Sequence, residues 1–220
     1  MNEIDVYSQP SYDDKIKLYH NTSDYKEHRL LKFKFRDKPR DTDIVVHNIV
    51  NDLTMKKFGL PLRNLFFVYI STFDKTARQM RAIPLGDNVR YFFNPDVDDM
   101  THWFNDKVME NEIFEFISEI VQDDSIATDE KAIVNQIISS FTNSRTLKDM
   151  IEDMANRLHG YVSNPTDFTR KVLNFIISKL KDYVNNIKEV DSVSKLPIPT
   201  NAEVMIYAPD DIYLISTVKS

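Results

Sequence analysis

Two residues with reactive side chains stand near opposite ends of this chain, each in a strand-like run. His20 falls in Leu18-Tyr19-His20-Asn21-Thr22, and Glu203 opens Glu203-Val204-Met205-Ile206-Tyr207. Between them, the apolar run Phe66-Phe67-Val68-Tyr69-Ile70-Ser71 is followed by Thr76-Ala77, so rings and a hydroxyl are also available. Each has a plain alternative. His20 can be a strand-end histidine bonded to backbone. Phe66, Phe67 and Tyr69 can be core packing, and Glu203 can be an exposed carboxylate at a strand start. Other chemistries have less support. His20, His28, His47, His102 and His159 show no H-x-x-x-H spacing, so no metal site is expected. Asp96, Asp98 and Asp99 lack the full calcium-loop pattern, and no G-x-S-x-G nucleophile elbow occurs.

The 220 residues are 42% hydrophobic and 28% charged, enough for one substantial domain, alone or with a helical addition. With 3 glycines, a glycine-rich phosphate loop is excluded, and a bound nucleotide must be held by side chains and strand backbone. Cysteine is absent, which removes disulfides and thiolate metal sites and fits a reducing compartment. Met1-Asn2-Glu3-Ile4-Asp5 has no basic and apolar signal pattern, and no apolar run is long enough to span a membrane. The expectation is a cytoplasmic protein without a secretory signal peptide. A net charge of −6 argues against broad nucleic-acid binding. One local basic patch, Lys32, Lys34, Arg36, Lys38 and Arg40, reads either as a binding patch or as a solvated strand edge and turn.

The elements that must position these residues follow from periodicity. Strands are expected over Lys15 to His20, over Leu30 to Phe35, over Leu65 to Ser71 as a buried central strand, and over Val89 to Phe93. A helix should start after Thr42-Asp43, carry Val46, Ile49, Val50 and Leu53 on one face, and stop at Phe58 before Gly59. A short helix is expected from Asp74 to Met80. From Thr101 the spacing becomes helical, over Phe104 to Asp123, Thr128 to Phe141 and Ser144 to Leu158, then from Asn164-Pro165 to about Lys188. The chain ends in Glu203 to Ala208 and Asp211 to Val218, expected as a strand pair joined at Pro209-Asp210. A lone hairpin is seldom stable in water, so these strands should return to the first sheet. The domain expectation is therefore a core of residues 1–100 and 196–220 with a helical insertion at 101–195.

His20-Asn21-Thr22, the Phe67-Val68-Tyr69 strand with Thr76-Ala77 after it, and Asn201-Ala202-Glu203 opening a late strand with Tyr207 four residues on resemble the ADP-ribosyltransferases. The likeness is to their histidine–tyrosine–glutamate branch, the poly(ADP-ribose) polymerase and diphtheria-toxin type. The Lys38-Pro39-Arg40-Asp41-Thr42, Phe58-Gly59 and Arg63-Asn64-Leu65-Phe66 stretches also resemble uncharacterised proteins of tailed bacteriophages. The resemblance implies an α+β fold with a split antiparallel sheet and a large helical insertion. It implies NAD as substrate, with His20 and Glu203 catalytic and His20, Asn21, Thr22, Phe67, Tyr69 and Thr76 binding the dinucleotide. Glu203 would stabilise an oxocarbenium-like state, the term that usually dominates in such sites. The chain departs from the family at Asn21, where glycine is usual, and at the stacking tyrosine expected after Thr76-Ala77, where Gln79 and Met80 stand. The implied function is transfer of ADP-ribose to a host macromolecule, protein before nucleic acid. The alternative is a decayed site on a host-protein binder or virion component.

Overall fold

A computed structural model of the chain describes residues 5–22, 27–36, 43–71, 79–123, 156, 165–197 and 202–216. It is an α+β protein built on one eight-stranded sheet in which every neighbouring pair is antiparallel. The strands are β1 (Lys17–Asn21), β2 (Arg29–Lys32), β3 (Phe66–Ser71), β4 (Gln79–Pro84), β5 (Arg90–Phe93), β6 (Lys188–Val190), β7 (Glu203–Tyr207) and β8 (Asp211–Ser216). Their order is β2-β8-β4-β1-β3-β7-β5-β6.

β1 divides its pairing. Lys17, Leu18 and Tyr19 face β3, whereas Tyr19, His20 and Asn21 face β4. The sheet also has to bend. Four residue steps from Tyr207 to Asp211 reach at most about 14 Å. The four strand spacings between β7 and β8 would measure about 19 Å if flat. The bend lets one face of both halves enclose a single core. Leu18, Phe66, Val68, Ile70, Met80, Ala82, Tyr91, Val204, Ile206, Ile212 and Leu214 are buried there. Strand alternation then sends Tyr19, Phe67, Tyr69, Glu203 and Met205 to the other face.

The chain forms two compact units, residues 1–38, 54–99 and 184–220 in one and residues 39–53 and 100–183 in the other. The first holds the whole sheet. β6 belongs to it, so the expected helical stretch of 101–195 gives up residues 188–190 to a sheet edge. In the second unit, helix begins at Met100–His102, continues in π geometry over Trp103–Glu112, and goes on as α2 (Ile113–Asp123). There the Phe116 and Phe175 rings stack 4.3 Å apart, and Lys179 pairs with Glu112 at 2.7 Å. Phe175 and Lys179 belong to α3 (Pro165–Asn186). α1 (Ile44–Phe58) starts where Asp43 Oδ1 accepts the Val45 and Val46 N–H groups, and it ends at Gly59 with φ +71°.

Three further expectations change. Gln79 and Met80 are strand, because β4 is paired on both sides by β1 and β8. β7 and β8 do not pair with each other; Pro209-Asp210 carries the chain across the bend from β3 and β5 to β2 and β4. The second strand stops at Lys32, and residues 33–36 continue outside the ladder. Apart from residue 156, which is helical, the helices expected over Thr128 to Phe141 and Ser144 to Leu158 lie outside the described residues, as do residues 74–78.

Candidate functional site

Arg63 belongs to a buried ion pair of the sheet-bearing unit. It sits in the 3-10 turn Leu62–Asn64, between Leu62 and Leu65, which are both fully buried. Thr54 Oγ1 accepts the Leu62 N–H at 3.1 Å, and Asn64 O accepts the Arg36 N–H at 2.8 Å, so the turn is tied on both sides. Arg63 Nη1 donates to Glu203 Oε1 at 2.7 Å, with both side chains only 8% exposed. The Arg63 guanidinium lies 4.6 Å from the centre of the Phe67 ring, and Arg36 lies 4.8 Å from the same ring.

Glu203 is placed by backbone contacts at the start of β7. Its N–H donates to Asp98 O at 2.6 Å, and Ala202 O accepts from Ile70 N–H at 3.4 Å. Burial raises the Glu203 pKa, Arg63 and Arg36 oppose that shift, and Asp99 adds to it. Tyr69 stands directly opposite Glu203 across the β3–β7 ladder. Its hydroxyl donates to Asp99 Oδ2 at 3.3 Å. Burial, with the negative charges of Asp99 and Glu203, pushes the Tyr69 pKa up to about 12. Asp96, Asp98 and Asp99 have structural partners: Asp96 N–H donates to Asn94 Oδ1, Asp98 O takes the Glu203 N–H, and Asp99 takes Tyr69. Among the described residues no group of three or more His, Cys, Asp or Glu is placed to hold a metal ion.

The expected site residues are therefore only partly gathered. β1, β3 and β7 are consecutive or next-but-one neighbours, which brings the His20, Phe67, Tyr69 and Glu203 strands together over about 180 residues of sequence. Phe67, Tyr69 and Glu203 share one face. His20 lies on the other, opposite Met80 and 4.3 Å from the Phe66 ring, with Nδ1 2.8 Å from Phe67 O. His20 thus takes the backbone-bonded role, and its imidazole does not point to the Glu203 side. The strands that carry His20 and Glu203 do join one sheet, with the two residues on opposite faces of it. Asn21 Oδ1 accepts from Gln79 Nε2 at 2.7 Å, and Thr22 Oγ1 accepts from Arg29 Nη2 at 2.8 Å. Both of those side chains already have local partners. Thr76 lies outside the described residues. Glu203 is not the exposed carboxylate of its plain alternative either, because Arg63 and the surrounding strands enclose it.

Sequence reasoning named Arg63, Arg36 and Asp99 in other connections and did not link any of them to Glu203. The only available signal was Arg63 in a Pro61-Leu62-Arg63-Asn64 break between two apolar stretches, and no spacing links it to Glu203. Among the described residues no helix is long and apolar enough to cross a membrane. Comparison with protein-family models, curated proteins and solved structures finds no match for this chain.

Proposed function

We propose that this chain is an ADP-ribosyltransferase-like protein whose transferase site is silent and which acts by binding, as a host-protein binder or a virion component. The observation that carries this reading is the Arg63–Glu203 pair. Its carboxylate is 8% exposed, is neutralised at 2.7 Å, and projects from the sheet face opposite His20. A carboxylate enclosed in this way has neither the freedom nor the unscreened charge to stabilise an oxocarbenium-like state. Asn21 in place of glycine, and Gln79 and Met80 where a stacking tyrosine is expected, support the same reading. The test is incubation with labelled NAD and a host-cell lysate, beside calorimetry with millimolar NAD. No transferred label, no NAD hydrolysis and no binding heat are expected.

A second reading is an active NAD-dependent ADP-ribosyltransferase modifying a host protein. It is favoured by the strand order, which sets β3 between β1 and β7 with Tyr69 directly opposite Glu203. Label transferred by the wild type but not by Glu203→Gln would establish this second reading and end the first.

A further inference from the structure

Lys32-Phe33-Lys34-Phe35-Arg36 runs on from the end of β2 as a segment in which cations alternate with rings. The two rings meet edge to face, with centroids 5.6 Å apart. Both also meet Tyr207 at the end of β7, Phe33 at 5.5 Å and Phe35 at 6.4 Å, the latter within 29° of parallel. Phe33 packs against the core, whereas Phe35 keeps 43% of its surface in solvent. Lys32 and Lys34 are exposed. Asp211 is a nearby acid among the described residues; it stands opposite Lys32 in the ladder, and its Oδ1 accepts the Phe33 N–H at 3.2 Å.

A phenyl ring held open to water next to two fixed rings is a stacking platform. Lys32 and Lys34 flank Phe33 in the chain, Lys34 directly precedes Phe35, and both lysines are exposed cations. Every nucleobase has a flat face for such a ring, and every linkage between bases carries one negative charge. We propose that the Lys32–Arg36 segment with Tyr207 binds single-stranded nucleic acid, one base stacking on Phe35 and the adjoining phosphates lying along Lys32 and Lys34. A duplex keeps its base faces hidden. An acidic peptide supplies the charge but not the flat ring. The net charge of −6 keeps the site local and the binding dependent on low salt. The segment adjoins the Glu203 cluster at Arg36, which lies over Phe67, but the stacking ring Phe35 and the exposed lysines do not depend on whether the transferase site is silent.

The experiment is fluorescence anisotropy of the full chain with a labelled oligothymidylate of about ten nucleotides at about 50 mM salt. Saturable binding is expected. With Lys32 and Lys34 as the exposed cations, the slope of log K against log salt should be about −1.4. Phe35→Ala should weaken binding about tenfold. Lys34→Glu should weaken it several-fold, whereas Lys56→Glu, the same charge change on the exposed side of α1, should leave it within about twofold. Far-UV circular dichroism checks that each variant is folded, and Lys34→Glu decides the matter should Phe35→Ala fail that check. No binding by the wild type overturns the proposal. So does equal weakening by Lys34→Glu and Lys56→Glu, or unchanged binding by a folded Phe35→Ala. Competition by polyglutamate as strong as by unlabelled oligothymidylate would show an acidic-peptide surface instead.

Discussion

Truncating Arg63 leaves the Glu203 carboxyl enclosed by strands and without its guanidinium partner. Breaking one side of a buried pair costs far more than the pair contributes, because the remaining group keeps its desolvation penalty. Arg63→Ala should therefore lower stability by about 3–5 kcal/mol in denaturant melts. The double variant Arg63→Met/Glu203→Leu should recover most of that loss, since neither charge is then buried. If the double variant is no better than the single one, the Arg63 stem and its contact with Phe67 matter more than the charge. The pH dependence gives an independent check on the same pair. Burial raises the Glu203 pKa above its ordinary 4.5, with Arg63 opposing and Asp99 assisting. A carboxyl raised in this way holds its proton more tightly folded than unfolded. Its contribution is complete below the unfolded value and is lost as pH rises through the folded one. Wild-type Tm should accordingly fall relative to that of Glu203→Gln as pH climbs from 4.5. A relative gain over that range would mean that Arg63 outweighs burial.

Element ends are where single residues decide most at the next scale. Lys57, near the end of α1, donates from Nζ to Val184 O, Asn185 O and Ile187 O at 2.9, 2.8 and 3.1 Å, closing the last turn of α3. Four carbonyls are left without intrahelical donors at any helix end, and a lysine there also complements the dipole. Burial and Lys188 lower the Lys57 pKa. Lys57 as a residue is exposed, and water can replace it at the three carbonyls, so Lys57→Met should cost only about 1 kcal/mol, read as a shift in the denaturant midpoint. Gly59 holds φ at +71°, and a Cβ there would meet nothing within 4 Å. Gly59→Ala should thus lose about 1 kcal/mol from backbone strain alone, with no repacking visible in the side-chain NMR spectrum. These ends were legible in the sequence: Asp43 before an apolar face, Gly59 after one, and Pro165 opening a long helix are local chemistry. The Leu65 to Ser71 run also read directly as a buried strand, because its apolar residues are continuous over strand length. Pairing was not legible. Pro209-Asp210 has the composition of a hairpin turn, yet the same residues cross a bend in the sheet, since partners are chosen by the whole sheet. Gln79 and Met80 lack a strong strand signature and become strand through neighbours on both sides. The pairing of Arg63 was not legible for the same reason, its partner lying 140 residues away.

At the scale of the molecule, the sheet is assembled from both ends of the chain. β7 and β8, the last two strands, both take interior places, β7 between β3 and β5 and β8 between β2 and β4. Pairing of such long sequence separation makes the sheet slow to form and hard to dismantle in parts. β1 joins the two halves, and Tyr19 is its common residue, opposite Tyr69 on one side and Arg81 on the other. The Tyr19 side chain is fully buried, so Tyr19→Ala removes packing at the point where the halves meet. The expected loss is about 3–5 kcal/mol. Its distribution is the sharper test. If β1 makes the sheet one cooperative unit, amide exchange should speed up equally in β4 and β8 and in β3 and β7, because all four open only with the whole sheet. Acceleration confined to β3 and β7 would mean that the halves unfold separately and that the division of β1 between them marks a boundary.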